Sequence, residues 1–504
     1  MQRRLSKSRF IAGWQCPLRL WYSVHRPDLA PPPDERQQAI FDSGHRIGEL
    51  AQQRYPGGRL IAADYRQTEA AMEETAALMA DPGLPALYEP AILHRNVLTR
   101  VDVLARSGAD WDLIEVKSST KAKEVFRIDL AVQYWILRGA GVPVERAGLL
   151  LINRDYVYLG GEYDLQSLFR FADFTEECQA RQGWVEEQVE RFHAVVANST
   201  PPDIEPGEQC SSPYTCPFTS HCWRDRERPA NPITLLPNLY SDRVASLREQ
   251  GIEALEDLPA DYPLSGIQKR VRKATLNSEP WQSKGLGTAL NGVSWPLYYL
   301  DFEAAMVALP LYPGMHPYDP VPFQFSCHVQ NAPDGALEHR EFLATDHTDP
   351  REPLAESLLD ALGESGSIIV YSGYEKATIN RLARELPGLA ERLHALVPRL
   401  VDLLAIVRKH YYHPAFRGSW SIKKVLPALV DGMDYRDMEV ADGEAAGRAW
   451  QQMLASEDAA ERERLDAALR AYCGQDSLAM YELREALLQL GSTGDQNHET
   501  GGVG

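Results

Sequence analysis

The 504-residue sequence has no apolar run long enough to cross a bilayer, and the basic stretch at its start leads into no continuous apolar segment. This argues against a membrane class and predicts a cytoplasmic protein with no membrane partner. Positive charge is in deficit as well, with 52 Lys and Arg against 71 Asp and Glu and a formal net charge of -19. Broad, sequence-independent binding of nucleic acid relies on phosphate neutralisation, so any contact with nucleic acid has to be local. The candidates are Arg3, Arg4, Lys7 and Arg9, the run Lys269-Arg270-Val271-Arg272-Lys273, and Lys423-Lys424. Each fits a solvated helix face equally well. The seven cysteines include no tight C-x2-C pair and are odd in number, which argues against the usual zinc spacing and against a disulfide framework. Length and composition are those of an ordinary globular chain with room for two or three domains.

What is present is organised around Val101-Asp102-Val103 and Asp112-Leu113-Ile114-Glu115-Val116-Lys117. Side chains alternate along a strand, so Glu115 and Lys117 share one face while Ile114 and Val116 enter a core. Asp102 lies in a second apolar run, 98–104, and Ser107-Gly108-Ala109-Asp110 reads as a hairpin turn. The pairing brings Asp102 beside Glu115. Two converging carboxylates can hold Mg²⁺ or Mn²⁺, and a neighbouring lysine can polarise or deprotonate a water that attacks a phosphodiester. The plain alternative is a solvated pair on an exposed strand.

Around this centre the pattern predicts a helix over 67–79, a break at Gly83-Leu84-Pro85, a helix over 129–137, an apolar strand over 147–153 and a long helix over 165–197. Cys16 precedes the region, and Cys210, Cys216 and Cys222 follow it in C-x5-C-x5-C. Four thiolates so placed can close a domain around a metal or cluster, with zinc and unligated thiols as the alternatives. Cys178, Cys327 and Cys473 read as ordinary buried or half-buried thiols.

Arg228-Pro229-Ala230-Asn231-Pro232 marks a boundary. Residues 239–258 follow as helix, glycine turn at Gln250-Gly251-Ile252 and helix. This is either a hairpin that lays backbone N–H groups against a phosphate or a plain connector. A second domain opens with an apolar strand that ends in Asp301 and Glu303, two carboxylates on one face. A strand over 367–371 leads to Glu375 at a helix entrance, and Tyr472 and Asp476 stand four apart on a later helix, sharing a side. The proline-rich loop 310–322 either covers a substrate or decorates the surface, and the chain after Gly491 reads as an unstructured tail.

Asp102, Glu115-Val116-Lys117 and Gln133 together resemble the PD-(D/E)xK core of RecB-family nucleases. Glu89 matches an upstream acidic residue of that family, and Gly44-His45-Arg46-Ile47-Gly48-Glu49 resembles its glycine-led helix start. Gly48 stands where many members carry histidine, with His45 offset from it. Leu137 stands where many carry tyrosine, with Tyr134 next to the glutamine. With the cysteines, the region is similar to the iron-sulfur nucleases of the family, the AddB subunit and the CRISPR-associated RecB-like exonucleases. That resemblance implies a [4Fe-4S] cluster on Cys16, Cys210, Cys216 and Cys222.

The later motifs resemble the DEDD exonucleases of the RNase H-like fold, in the subclass with Y-x3-D. Asp301 and Glu303 match the first motif, Glu375 the acidic position of the second in place of aspartate, and Tyr472 with Asp476 the third. Asp402 is the substitute for Glu375, and 419–426 is similar to the helix start that follows. The resemblance implies carboxylates holding two metal ions and Tyr472 positioning the attacking water. The order of parts resembles a prokaryotic family of two-part nuclease-like proteins of uncharacterised function.

The expectation is therefore an α/β chain. A PD-(D/E)xK restriction-endonuclease-like domain spans 1–228, a helical connector 229–290, an RNase H-like domain 291–490 and a tail 491–504. The expected activity is a divalent-metal-dependent nuclease, an exonuclease on DNA ends or single strands, with DNA preferred to RNA as the partner. The alternatives are a catalytically weakened nuclease-fold scaffold that binds nucleic acid or a protein partner, and a small-molecule phosphodiesterase.

Overall fold

Two main sheets, with central strands buried on both faces, divide the chain. The computed structural model describes residues 4–63, 67–224 and 226–499. One compact unit comprises 1–227 with 307–319, and the other 228–306 with 320–504. Both are mixed α/β. Among the described residues, no helix is long and apolar enough to cross a membrane.

The first unit runs β1 (Leu5–Ser6), α1 (Lys7–Gln15), α2 (Pro17–His25), α3 (Glu35–Gln53), β2 (Arg59–Leu60), α4 (Thr68–Met79), β3 (Ala86–Tyr88), β4 (Ala91–His94) and β5 (Val97–Arg100). It continues with β6 (Val103–Ser107), β7 (Asp110–Lys117), α5 (Glu124–Gly139), β8 (Val144–Ile152), α6 (Leu165–Leu168), β9 (Phe169–Asp173), α7 (Thr175–Ala180), α8 (Gln182–Ala197) and α9 (Thr219–Cys222). Six strands form a sheet in the order β2-β3-β6-β7-β8-β9, and β1-β5-β4 form a small second sheet. Gly108 takes the left-handed conformation (φ 59°) that the tight β6–β7 turn requires. Val103 is registered with Ile114, so the next residue outward, Asp102, comes level with Glu115.

Strand β7 is buried on both faces. Trp111 and Leu113 pack with Ile128, Ala131 and Phe192 on one side, and Ile114 packs with Ile47 and Ala51 of α3 on the other. Glu115 and Lys117 therefore lie under α5 and α1, not on a solvated strand face.

Several expectations are corrected here. The run 98–104 is two strands, β5 and β6, in different sheets, because the chain leaves one sheet at Val101-Asp102 and enters the other. The helix over 165–197 is broken by β9, whose residues Phe169–Asp173 complete the sheet edge against β8. Residues 44–49 lie inside α3 and do not start it; the start is at Asp34, whose carboxylate accepts the N–H of Gln37. The segment Val307–Asp319 belongs to the first unit, with Ala308 and Leu309 buried in its core and the Tyr318 hydroxyl donating to the Ser118 carbonyl at 2.6 Å.

The second unit contains α10 (Ser241–Glu249), α11 (Gly266–Asn277), β10 (Trp281–Gln282), α12 (Leu286–Asn291), β11 (Leu297–Met306), β12 (Pro320–Gln330), β13 (Leu337–Leu343), α13 (Arg351–Leu362), β14 (Ser367–Val370) and α14 (Tyr374–Glu385). After these come α15 (Ala390–Leu396), β15 (Leu400–Asp402), α16 (Leu403–His410), β16 (Tyr411–Tyr412), α17 (Ile422–Val425), α18 (Gly443–Ala455) and α19 (Ala459–Glu499). The main sheet has the order β13-β12-β11-β14-β15, antiparallel on the β12 side of β11 and parallel on the β14 side. Asp301 and Glu303 sit within β11, which continues to Met306 with a register shift after Glu303.

Residues 252–258 form no second helix. They turn after Gly251 (φ 77°) and bury Leu255 and Leu258, so 239–258 is a connector rather than a helical hairpin. Helix α19 continues past Gly491 to Glu499, where a tail is expected; residues 500–504, like Arg3, lie outside the described residues.

Candidate functional site

The first cluster is built on β7. Glu115 is 1% exposed, and Gln133 of α5, fully buried, donates from its amide to Glu115 Oε2 at 2.7 Å. Thr99 donates to the other end of that amide at 3.2 Å, which keeps the NH₂ group facing the carboxylate. Lys117 Nζ donates to Glu115 Oε1 at 2.6 Å and to Asp129 Oδ2 at 2.9 Å. Asp102 Oδ2 accepts the Val116 N–H at 2.7 Å. The structure thus brings Asp102, Glu115, Lys117 and Gln133 together.

Two members of this cluster escaped the sequence reading. Asp129 stands four residues before Gln133 on α5, a spacing that could have revealed it. Lys7 carries no such signal: it donates to both oxygens of Glu115, at 2.9 and 3.0 Å. Its expected role as a surface phosphate contact is therefore corrected, because its ammonium points inward.

Burial and the neighbouring Glu115 push Asp102 up to about 7, with Lys7 and Lys117 opposing. Burial acts on Glu115 in the same direction, but Lys117 and Lys7 outweigh it and hold that carboxylate well below its usual range. Glu89 is raised chiefly by burial, with Glu115 adding to the shift. His45 is exposed on α3, Leu137 is buried in the core, and the Tyr134 hydroxyl accepts from Gln179 instead of facing the carboxylates.

Cys16 caps the junction between α1 and α2, Cys210 and Cys216 are joined by a Cys216 N–H to Cys210 carbonyl bond of 2.8 Å, and Cys222 ends α9. All four line one small cavity with Leu18, Arg19 and Phe218. None of the four is joined in a disulfide. Cys178, Cys327 and Cys473 are buried.

The second cluster joins β11 to α19. One carboxylate oxygen each from Asp301, Glu303 and Asp476 lie within 4.8 Å of one another, the single such group of His, Cys, Asp or Glu among the described residues. Glu375, at the start of α14, is 3% exposed, and its Oε2 is buried without a hydrogen-bond partner. Burial raises all four carboxyls: Asp301 well above its usual value with Asp476 and Glu303 adding, Glu303 to about 8, Glu375 to about 7, and Asp476 upward against the pull of Tyr435 and Lys423. Asp402 caps α16 by accepting the Ala405 N–H at 3.1 Å, so its side chain already has a structural task.

Three further residues at this cluster were missed. Tyr435 donates to Asp476 Oδ1 at 2.5 Å. Lys423 Nζ donates to the Tyr472 hydroxyl at 3.1 Å and stands 5.1 Å from the ring centres of both Tyr435 and Tyr472. The Cys473 thiol lies 3.7 Å from Asp301 Oδ2. Lys423 was legible only as part of a basic pair, while Tyr435 sits in an irregular stretch with no periodic signal. Burial, with Asp476 adding, pushes both tyrosines up, so each phenol keeps its proton at neutral pH.

The remaining basic candidates are largely engaged. Arg270 donates to the carbonyl of Arg408 at 2.8 Å and packs over Trp281, Arg272 donates to the carbonyl of Pro259 at 3.0 Å, and Arg4 pairs with Glu69.

What the fold and sites define is a mixed α/β protein with two buried carboxylate clusters, one hydrogen-bonded to two lysines and the other with a single lysine, Lys423, acting on Glu303 and Asp476. Residues 298–421 match a family described as a domain of unknown function (DUF2779), a stretch that holds Asp301, Glu303 and Glu375 but ends before Tyr472 and Asp476. No curated protein matches the chain.

Proposed function

We propose that the protein is a divalent-metal-dependent nuclease. In this reading the first unit is a PD-(D/E)xK-type domain, the second an RNase H-like exonuclease domain, and the substrate is DNA ends or single strands. The observation that carries the reading is the second cluster: one oxygen from each of three carboxylates within 4.8 Å of one another, a fourth carboxylate with an unpartnered buried oxygen, and Lys423 as a counter-charge to Glu303 and Asp476. Burying several like charges is costly unless a cation joins them, and the all-oxygen donor set suits Mg²⁺ or Mn²⁺.

Such ions, when bound, stabilise the attacking and leaving oxygens of a phosphodiester. Asp301, Glu303 and Asp476 would hold them, and Glu375 Oε2 supplies a further free acceptor. Tyr472 works as a neutral phenol. Lys423 donates to its hydroxyl and the phenolic proton is engaged by Asp476, so that proton would be released to orient the attacking water once Asp476 is drawn to an ion.

For the cysteines, the tetrahedral zinc spacing would put sulfurs roughly 3.8 Å apart, from a Zn–S bond of about 2.3 Å. Among the described residues no three of them meet within 4.8 Å, although all four face one cavity. This disfavours zinc; the [4Fe-4S] cluster, whose thiolates bind different irons, rests on the family resemblance, with unligated thiols as the alternative.

A specific observation favours a second reading for the first unit alone. Both oxygens of Glu115 are taken by Lys7, Lys117 and Gln133, so that site is already charge-balanced. It either opens by withdrawing Lys7 or serves as a binding scaffold. The test is cleavage of end-labelled single-stranded and duplex DNA and RNA with Mg²⁺ and Mn²⁺, comparing wild type with Asp301→Ala and Lys117→Ala. Loss in Asp301→Ala alone assigns the activity to the second unit. Absence of any cleavage by the wild type overturns the nuclease reading.

A further inference from the structure

Beside the first cluster is an open cavity of about 450 Å³, between the end of α1, the start of α5 and the loop that joins Cys210 to Cys216. Its size falls within the range of small-molecule sites, about 300–1,000 Å³. Trp14, Val125, Pro213 and Tyr214 give it apolar walls, and Lys123 stands on its rim. Trp14 is partly buried against the core, whereas Tyr214 is 43% exposed.

The cavity wall is held in place. Gln15 donates from its amide to the carbonyls of Gln209 and Tyr214, at 2.6 and 2.7 Å, which ties the cysteine loop to α1. Burial pushes the Tyr214 phenol up, with Lys117, Asp129 and Glu115 of the carboxylate cluster also acting on it. Glu124, the one acid on the wall, is ion-paired with Arg127 and Arg181. Lys123 pairs with no carboxylate among the described residues, and Lys121 beside it is also exposed.

We propose that this cavity receives an unstacked nucleobase of a single-stranded nucleic acid whose backbone runs past Lys121 and Lys123 toward Glu115 and Lys117. The inference rests on the nuclease reading above and adds the place where the first unit would hold a base of the single strand. Two aromatic faces with a cation at the rim match how single strands are held, by stacking on rings with the phosphates on positive charge. The overall acidity of the chain requires such a contact to be local, and this is a local one. Paired bases cannot enter, so the site selects single strands or frayed ends.

The test is fluorescence anisotropy of the full-length protein with a labelled single-stranded oligonucleotide, with Ca²⁺ as the divalent ion. Tyr214→Ala is expected to weaken binding about 5- to 100-fold, the worth of one stacked base. Tyr214→Phe should stay near wild type, and duplex binding should not change. Trp14→Phe keeps the packing and serves beside Trp14→Ala, whose loss could reflect misfolding. An abasic position walked along the oligonucleotide should weaken wild-type binding at one place and have no further effect in Tyr214→Ala. Single-strand binding by Tyr214→Ala as tight as wild type overturns the base pocket and leaves the nuclease reading standing. A wild type that neither binds nor cuts any nucleic acid removes both.

Discussion

Lys7 donates to both carboxylate oxygens of Glu115 across 108 residues of chain, at 2.9 and 3.0 Å, with the Glu115 side chain 2% exposed. The contact places the start of α1 over the C-terminal half of β7. Burial alone would lower the Lys7 pKa, but Glu115, Asp129 and Asp102 outweigh it and keep the ammonium charged.

Lys7→Met is therefore expected to destabilise the first unit, by less than the about 3–5 kcal/mol of a buried charge left wholly unpaired, because Lys117 and Gln133 still donate to Glu115. Urea unfolding monitors this. Added Mn²⁺ should restore part of the loss if Glu115 then accepts an ion, and no recovery at any Mn²⁺ concentration would favour the scaffold reading of this unit.

The second cluster predicts an unusual pH dependence. Glu303 rises from the usual 4.5 to about 8 and Glu375 to about 7 through burial, so between 4.5 and 8 the folded state binds more protons than the unfolded chain. Stability without divalent ion should then fall as pH rises through that window. Thermal melts at pH 5 and pH 8 in a chelator check the sign. Mg²⁺ should recover stability most at pH 8, and Glu303→Gln should flatten the profile.

Catalysis in the second unit is expected to need both the carboxylates and the phenol. Asp301→Asn should abolish metal-dependent cleavage, and Tyr472→Phe should lower kcat by about 10²-fold or more with KM little changed, the range for a group that manages a proton or its water. Lys423→Met should produce a smaller loss in the same parameter. A Tyr472→Phe enzyme at full rate removes the water-positioning role.

Anaerobically purified protein is expected to contain iron and sulfide, and Cys216→Ser little of either. The same variant should unfold more easily, because the four cysteines tie the loop after α8 to α1 and α2. Stoichiometric zinc without iron would reverse the preference for a cluster.

Much of both sites was legible because covalent geometry sets it. Glu115 with Lys117 and Asp301 with Glu303 follow from the two-residue period of a strand, and Tyr472 with Asp476 from the turn of a helix. The turn at Gly108 set the hairpin register that brings Asp102 level with Glu115. The misreadings share one cause, since apolar pattern does not reveal which sheet a residue joins. Residues 98–104 look continuous although β5 and β6 pair with different partners, and β9 is a short edge strand whose residues also suit a helix. The inserted segment Val307–Asp319 likewise shows nothing in its own sequence of the core it enters.

The sequence by itself determined which acids, lysines and tyrosines stand together on one strand face or helix side. Only the tertiary structure decided which of these local pairs meet and what charge surrounds them. Lys7 reaches Glu115 and balances the first cluster, while Asp301, Glu303, Glu375 and Asp476 converge with Lys423 acting on Glu303 and Asp476. The reason is that Coulomb attraction and desolvation depend on distance and burial in space, and neither is recorded in separation along the chain.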